Sequence, residues 1–68
     1  MVNTNELNAA IARAGYTQGE VAKEIGLSSY TFGRKAKNLS KFDLVEVEGI
    51  CNFLGIVDNL QKALIFLS

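Results

Sequence analysis

The chain contains no histidine, no proline and no tryptophan, and one cysteine among 68 residues. Without histidine it lacks the side chain that most often acts as general base or metal ligand near neutral pH. One cysteine excludes an intramolecular disulfide and a thiolate metal cluster, and fits a reducing compartment. No apolar run approaches the roughly 18 residues that a membrane-spanning helix needs, and no basic-then-apolar leader opens the sequence. The glycines are scattered, so there is no phosphate-cradling loop, and no nucleophile–base pair can be assembled. These absences argue against an enzyme, a metal site, a cofactor and a membrane protein. They leave a soluble cytoplasmic binding module, read as one domain over residues 1–68. A chain this short buries only about 60% of its unfolded surface, which allows one modest core and no deep pocket.

What is present is globular in character: 49% hydrophobic and 21% charged residues, with a formal net charge of zero. The zero hides a split. Residues 1–41 carry Arg13, Lys23, Arg34, Lys35, Lys37 and Lys41 against Glu6, Glu20 and Glu24. Residues 42–68 carry Lys62 against Asp43, Glu46, Glu48 and Asp58. From Arg34 to Lys41 there are four cations and no anion. Such an asymmetry hints at a charged partner; a four-charge cluster taken alone reads first as a solvated face.

Helix start and stop signals recur along the chain. Asn3 and Glu6 have capping-box spacing, Leu7, Ala10, Ile11 and Ala14 form a stripe, and Gly15 ends the first helix. Thr17 and Glu20 open a second, with Val21, Ala22 and Ile25 inside and Gly26 as its stop. Ser28 caps a third helix running to about Lys37. Gly33 in its middle costs roughly 1 kcal/mol relative to Ala. That cost is consistent with close approach by a ligand or with a packing need. Asp43 and Glu46 open the fourth helix, Phe42 and Val47 form a hydrophobic staple, and Leu44, Val47, Ile50, Cys51 and Leu54 are expected inward before Gly55. A fifth helix is expected from Asp58 to Leu67 with Leu60, Ala63, Leu64 and Leu67 as its stripe; a strand over residues 63–67 is the minor alternative. Cys51 reads as a buried small hydrophobe. The aliphatic tail from Leu64 to Leu67 fits core, or a partner surface wherever it is exposed.

The stretch from Gln18 to Lys37 resembles the helix-turn-helix of the Cro/CI-type (XRE) regulators. Val21-Ala22 supply the apolar-then-Ala pair, Ile25 closes the first helix, Gly26 makes the turn, Leu27 follows it, and Phe32 anchors the second helix. Lys35 departs from the pattern, standing where a second apolar anchor is usual; Ala36 and Leu39 are expected to take over that packing. Thr31-Phe32-Gly33-Arg34-Lys35, with Phe42, Glu46, Ile50 and Leu54, is similar to small helix-turn-helix proteins of temperate phages of Gram-positive bacteria, among them Cro-like repressors and antirepressors. The resemblance implies an all-α, compact five-helix bundle of the lambda-repressor-like type, with helices 2 and 3 as the helix-turn-helix. It also implies a transcriptional regulator of a lysis–lysogeny switch in a bacterial host cell.

In such a unit the second helix enters the major groove of double-stranded operator DNA, with residues near its start at the base edges. Those are Ser28, Ser29, Tyr30, Gly33 and Arg34, of which only Arg34 can grip guanine with a planar fork. Gln18, Lys37, Asn38, Ser40 and Lys41 are placed to touch phosphate, which sets register rather than sequence. Tyr30 fits a half-buried surface aromatic as well as a contact, and Lys35 and Lys37 fit solvated charges. A symmetric operator implies a homodimer, for which Ile65 and Phe66 are the candidate two-fold contacts. The alternative partner is the cognate phage repressor, captured by a pure antirepressor with little DNA binding of its own. Net neutrality and weak base-reading residues favour that alternative.

Overall fold

A computed structural model describes residues 1–67 as five α-helices: α1 Thr4–Arg13, α2 Gln18–Glu24, α3 Ser29–Ala36, α4 Leu44–Leu54 and α5 Asn59–Phe66. The all-α expectation holds, and residues 63–66 are helical rather than extended. The helix starts follow the caps. Thr17 with Glu20 and Asp43 with Glu46 form complete capping boxes. The Ser28 hydroxyl accepts from the Thr31 N–H at 3.1 Å, and the Asp58 carboxylate from the Leu60 N–H at 2.9 Å. At α1 only half of the expected box forms. The Asn3 side chain accepts from the Glu6 N–H, but the Asn3 N–H donates to the Ile65 carbonyl at 2.6 Å. The start of the chain is thereby fastened to α5.

The turn between α2 and α3 requires a left-handed residue. Gly26 has φ 80°, and the chain closes with Gly26 N–H on the Lys23 carbonyl and Leu27 N–H on the Ala22 carbonyl. Glycine adopts this conformation without a steric penalty. The end of α3 is built the same way around Asn38, the one non-glycine residue with positive φ (65°) among those described. Its N–H reaches the Lys35 carbonyl, and the Leu39 N–H reaches that of Arg34.

Leu7, Ile11, Val21, Ala22, Phe32, Ala36, Ile50 and Cys51 gather in one buried cluster with Ile56, Ile65 and Phe66. Phe32 and Phe42 meet edge to face at 5.4 Å between centroids, and Phe42 and Phe66 at 6.1 Å. That aromatic chain fixes the face that α5 presents. Ile65 and Phe66 are buried, whereas Leu60 and Leu67 are about four-fifths exposed (81% and 79%) and Leu64 is also exposed. The expected α5 stripe is therefore reversed: the Phe66 ring turns inward onto Phe42, and its neighbour Ile65 is buried with it. Leu44, the first residue of α4, lies outside the core, and Ala14 is exposed beyond the end of α1. Tyr16 stacks on Phe53 at 4.4 Å between centroids, tying the α1–α2 turn to α4. No helix among the described residues is long and apolar enough to cross a membrane.

Candidate functional site

Ser29, Tyr30, Gly33, Arg34 and Lys37 converge on the outer side of α3, where they line a shallow groove of about 320 Å³ with Leu39. The i, i+3, i+4 spacing of a helix places Tyr30, Gly33, Arg34 and Lys37 on adjoining strips of one face. Tyr30 is 74% exposed and Leu39 62% exposed, on an otherwise polar and cationic surface. A Cβ added at Gly33 would meet nothing within 4 Å, so packing does not require the glycine. The Arg34 guanidinium lies 3.5 Å from the Leu39 carbonyl and remains half-buried along the helix.

Other residues read as contacts have structural work. Ser28 is the α3 cap, and its hydroxyl also donates to the Thr31 hydroxyl at 3.0 Å. The Gln18 amide donates to the Asn8 side-chain carbonyl at 2.6 Å, joining α2 to α1. The Asn38 side chain pairs with the backbone of Val2 in both directions: it accepts from the Val2 N–H at 2.8 Å and donates to the Val2 carbonyl at 2.9 Å. Beside it the Thr4 hydroxyl donates to the Ala36 carbonyl. Lys41 is exposed and lines a separate groove with Met1, Val2 and Phe42.

Lys35 is not a solvated charge. Its ammonium donates to both Glu46 carboxylate oxygens, at 2.7 and 2.8 Å, with both side chains mostly buried. Glu46 simultaneously accepts from the Asp43 N–H at 3.0 Å. The ion pair thus joins α3 to the first turn of α4, at the position where the sequence pattern lacks its second apolar anchor. Ala36 shares that packing, but Leu39 does not. The left-handed turn at Asn38 carries Leu39 off the helix and leaves its side chain in solvent. Leu39 is consequently a surface residue of the groove that sequence reasoning assigned to the core.

Ile65 and Phe66 are core residues, 1% and 8% exposed, and cannot form a two-fold contact while the domain is folded. The apolar side chains that α5 and its C-cap leave outside are Leu60, Leu64 and Leu67. Cys51 is buried, and burial raises its thiol pKa above 9.0, with Lys62 opposing and Glu48 adding to the rise. It is a packing residue, not an activated thiolate. Among the described residues no group of three His, Cys, Asp or Glu side chains could hold a metal ion. No family model, curated protein or solved structure matches the chain.

Proposed function

We propose that the chain is a helix-turn-helix regulator of a temperate-phage lysis–lysogeny switch that acts chiefly by capturing the cognate repressor through the outer face of α3. One observation carries this reading: the face combines Tyr30 and Leu39, both largely exposed, with Arg34 and an open Gly33. Tyr and Arg dominate the energetics of protein interfaces, and a bulky apolar side chain beside them suits a protein pocket better than a phosphate backbone. The supply of phosphate contacts is correspondingly thin. Lys35 is neutralised by Glu46, and Gln18 and Asn38 are held by other parts of the chain.

Direct operator binding is the second reading, favoured by Arg34, Lys37 and Lys41, which have no carboxylate partner among the described residues. Three neutralised phosphates give a slope of log K against log salt of about −2.7. A two-fold operator also needs recognition helices roughly 34 Å apart, and the exposed Leu60, Leu64 and Leu67 are the side chains that α5 offers for that dimer. A mobility-shift series on the divergent promoter region separates the readings, using this protein alone, the neighbouring repressor alone, and both together. Capture removes the repressor band, operator binding gives a band with this protein alone, and a ternary complex gives a slower third band. Independent elution of the two proteins in gel filtration at micromolar concentration, or an unaffected Arg34→Glu variant, would overturn capture.

A further inference from the structure

On a different part of the surface, α2 and α4 enclose a groove of about 540 Å³. The helices approach closely there because residue 49 is glycine: a Cβ at that position would lie 3.0 Å from Ile25 Cγ2. Ile25, Val45 and Phe53 supply an apolar floor, and Val45 is 78% exposed. Glu24 stands on the rim. Glu48 is three residues after Val45 and four before Asn52, another lining residue, which places it on the same side of α4. Both glutamates are exposed, and the Lys35–Glu46 ion pair involves neither. The groove is therefore an apolar cleft with Glu24 and Glu48 at its edge; Glu46, which also lines it, is already paired with Lys35.

The α3 face is its complement in sign, and it carries the exposed apolar side chains of Tyr30 and Leu39. Arg34 and Lys37 are cations without a carboxylate partner, and they flank the protruding Tyr30 and Leu39. With zero net charge, two copies meet without overall repulsion, and their opposite local charges favour one orientation. We propose that the α2–α4 groove is the docking site for a second copy of this chain, which inserts the cationic end of its α3. Leu39 or Tyr30 meets Ile25, Val45 and Phe53, while Arg34 and Lys37 face Glu24 and Glu48. The contact is heterologous, so it joins copies head to tail and leaves a free groove and a free α3 face at the two ends. Exposed ion pairs contribute little each, so the association is weak and sensitive to salt.

Sedimentation equilibrium and amide NMR on serial dilution test this with the intact chain. At low salt the wild type should associate, with concentration-dependent shifts in two patches, Glu24–Val45–Phe53 and Tyr30–Arg34–Leu39. Raising salt about tenfold, which shortens the screening length from roughly 14 Å to 4–5 Å, should weaken association by an order of magnitude. A Glu24→Arg/Glu48→Arg variant and an Arg34→Glu/Lys37→Glu variant should each be monomeric alone and associate when mixed. The milder Glu24→Gln/Glu48→Gln variant serves if a reversal disturbs folding by circular dichroism, and it should weaken self-association severalfold. A wild type that stays monomeric at every salt concentration overturns the proposal. So does association that survives both reversals, or association strengthened by salt, which would assign it to the exposed leucines of α5. The test needs neither operator nor repressor, so its outcome is independent of the transcriptional reading.

Discussion

Gly33→Ala separates what α3 needs for folding from what the proposed interface needs. A Cβ at position 33 meets no heavy atom within 4 Å, and the residue lies within the helix Ser29–Ala36. The substitution should therefore deliver the full helix-propensity gain of about 1 kcal/mol. Unfolding entropy of about 2.1 cal/mol/K per residue gives on the order of 140 cal/mol/K for this chain, so Tm should rise by about 7 °C. Gly49→Ala is the internal control. It brings the same propensity gain, but its Cβ would lie 3.0 Å from Ile25 Cγ2, so its Tm should rise less or fall. Differential scanning calorimetry of the two variants against wild type reads both. The new methyl group at position 33 also projects into the groove lined by Tyr30, Arg34 and Leu39. The proposed binding of repressor or operator should weaken even though the domain is more stable. A Tm that stays level or drops in Gly33→Ala refutes the helix argument. A raised Tm with unchanged affinity removes Gly33 from the interface.

Other perturbations test the packing. Lys35→Met strands the largely buried Glu46 carboxylate, which keeps only its bond from the Asp43 N–H; urea unfolding should show a loss of about 2 kcal/mol. The double change Lys35→Leu/Glu46→Gln should recover most of that loss, since Gln still accepts at the cap. Asn38→Ala combines the left-handed backbone penalty with loss of both bonds to Val2 and should cost about 2 kcal/mol, whereas Asn38→Gly loses only the bonds and should cost about half as much. Cys51 supplies a pH signature. Below pH 9.0 both states hold the thiol proton; above it the unfolded chain releases the proton first, so stability should fall as pH rises towards the higher folded value. Thermal melts at pH 8 and 10 should show a component of this decline that Cys51→Ala removes.

The helix boundaries were legible because their signals are local. Thr17 with Glu20, Asp43 with Glu46, and the left-handed Gly26 act within one turn of the backbone they terminate. The face of α5 was not legible, since Leu60, Leu64 and Leu67 form as plausible a stripe as Ile65 and Phe66. Only the Phe32–Phe42–Phe66 chain, assembled from three separate segments, decides between them. The candidate site was legible in part. Ser29, Tyr30, Gly33, Arg34 and Lys37 share a groove because they share a helix face, which periodicity shows. Leu39 escaped because its exposure depends on a non-glycine residue taking positive φ at Asn38. Lys35, Gln18 and Asn38 found partners eleven, ten and thirty-six residues away, and composition does not encode such pairings.

The fastening of Asn3 to Ile65 also bears on how the domain comes into being on the ribosome. Val2 and Thr4 find their partners at Asn38 and Ala36, but the Asn3 N–H has none until residue 65 has been synthesised and released from the exit tunnel, so the first helix is fastened in two stages. The α2–α3 pair, whose contacts are near in sequence, can form earlier and wait. The surface proposed for partner capture belongs to this early pair, and the final helix closes the domain behind it.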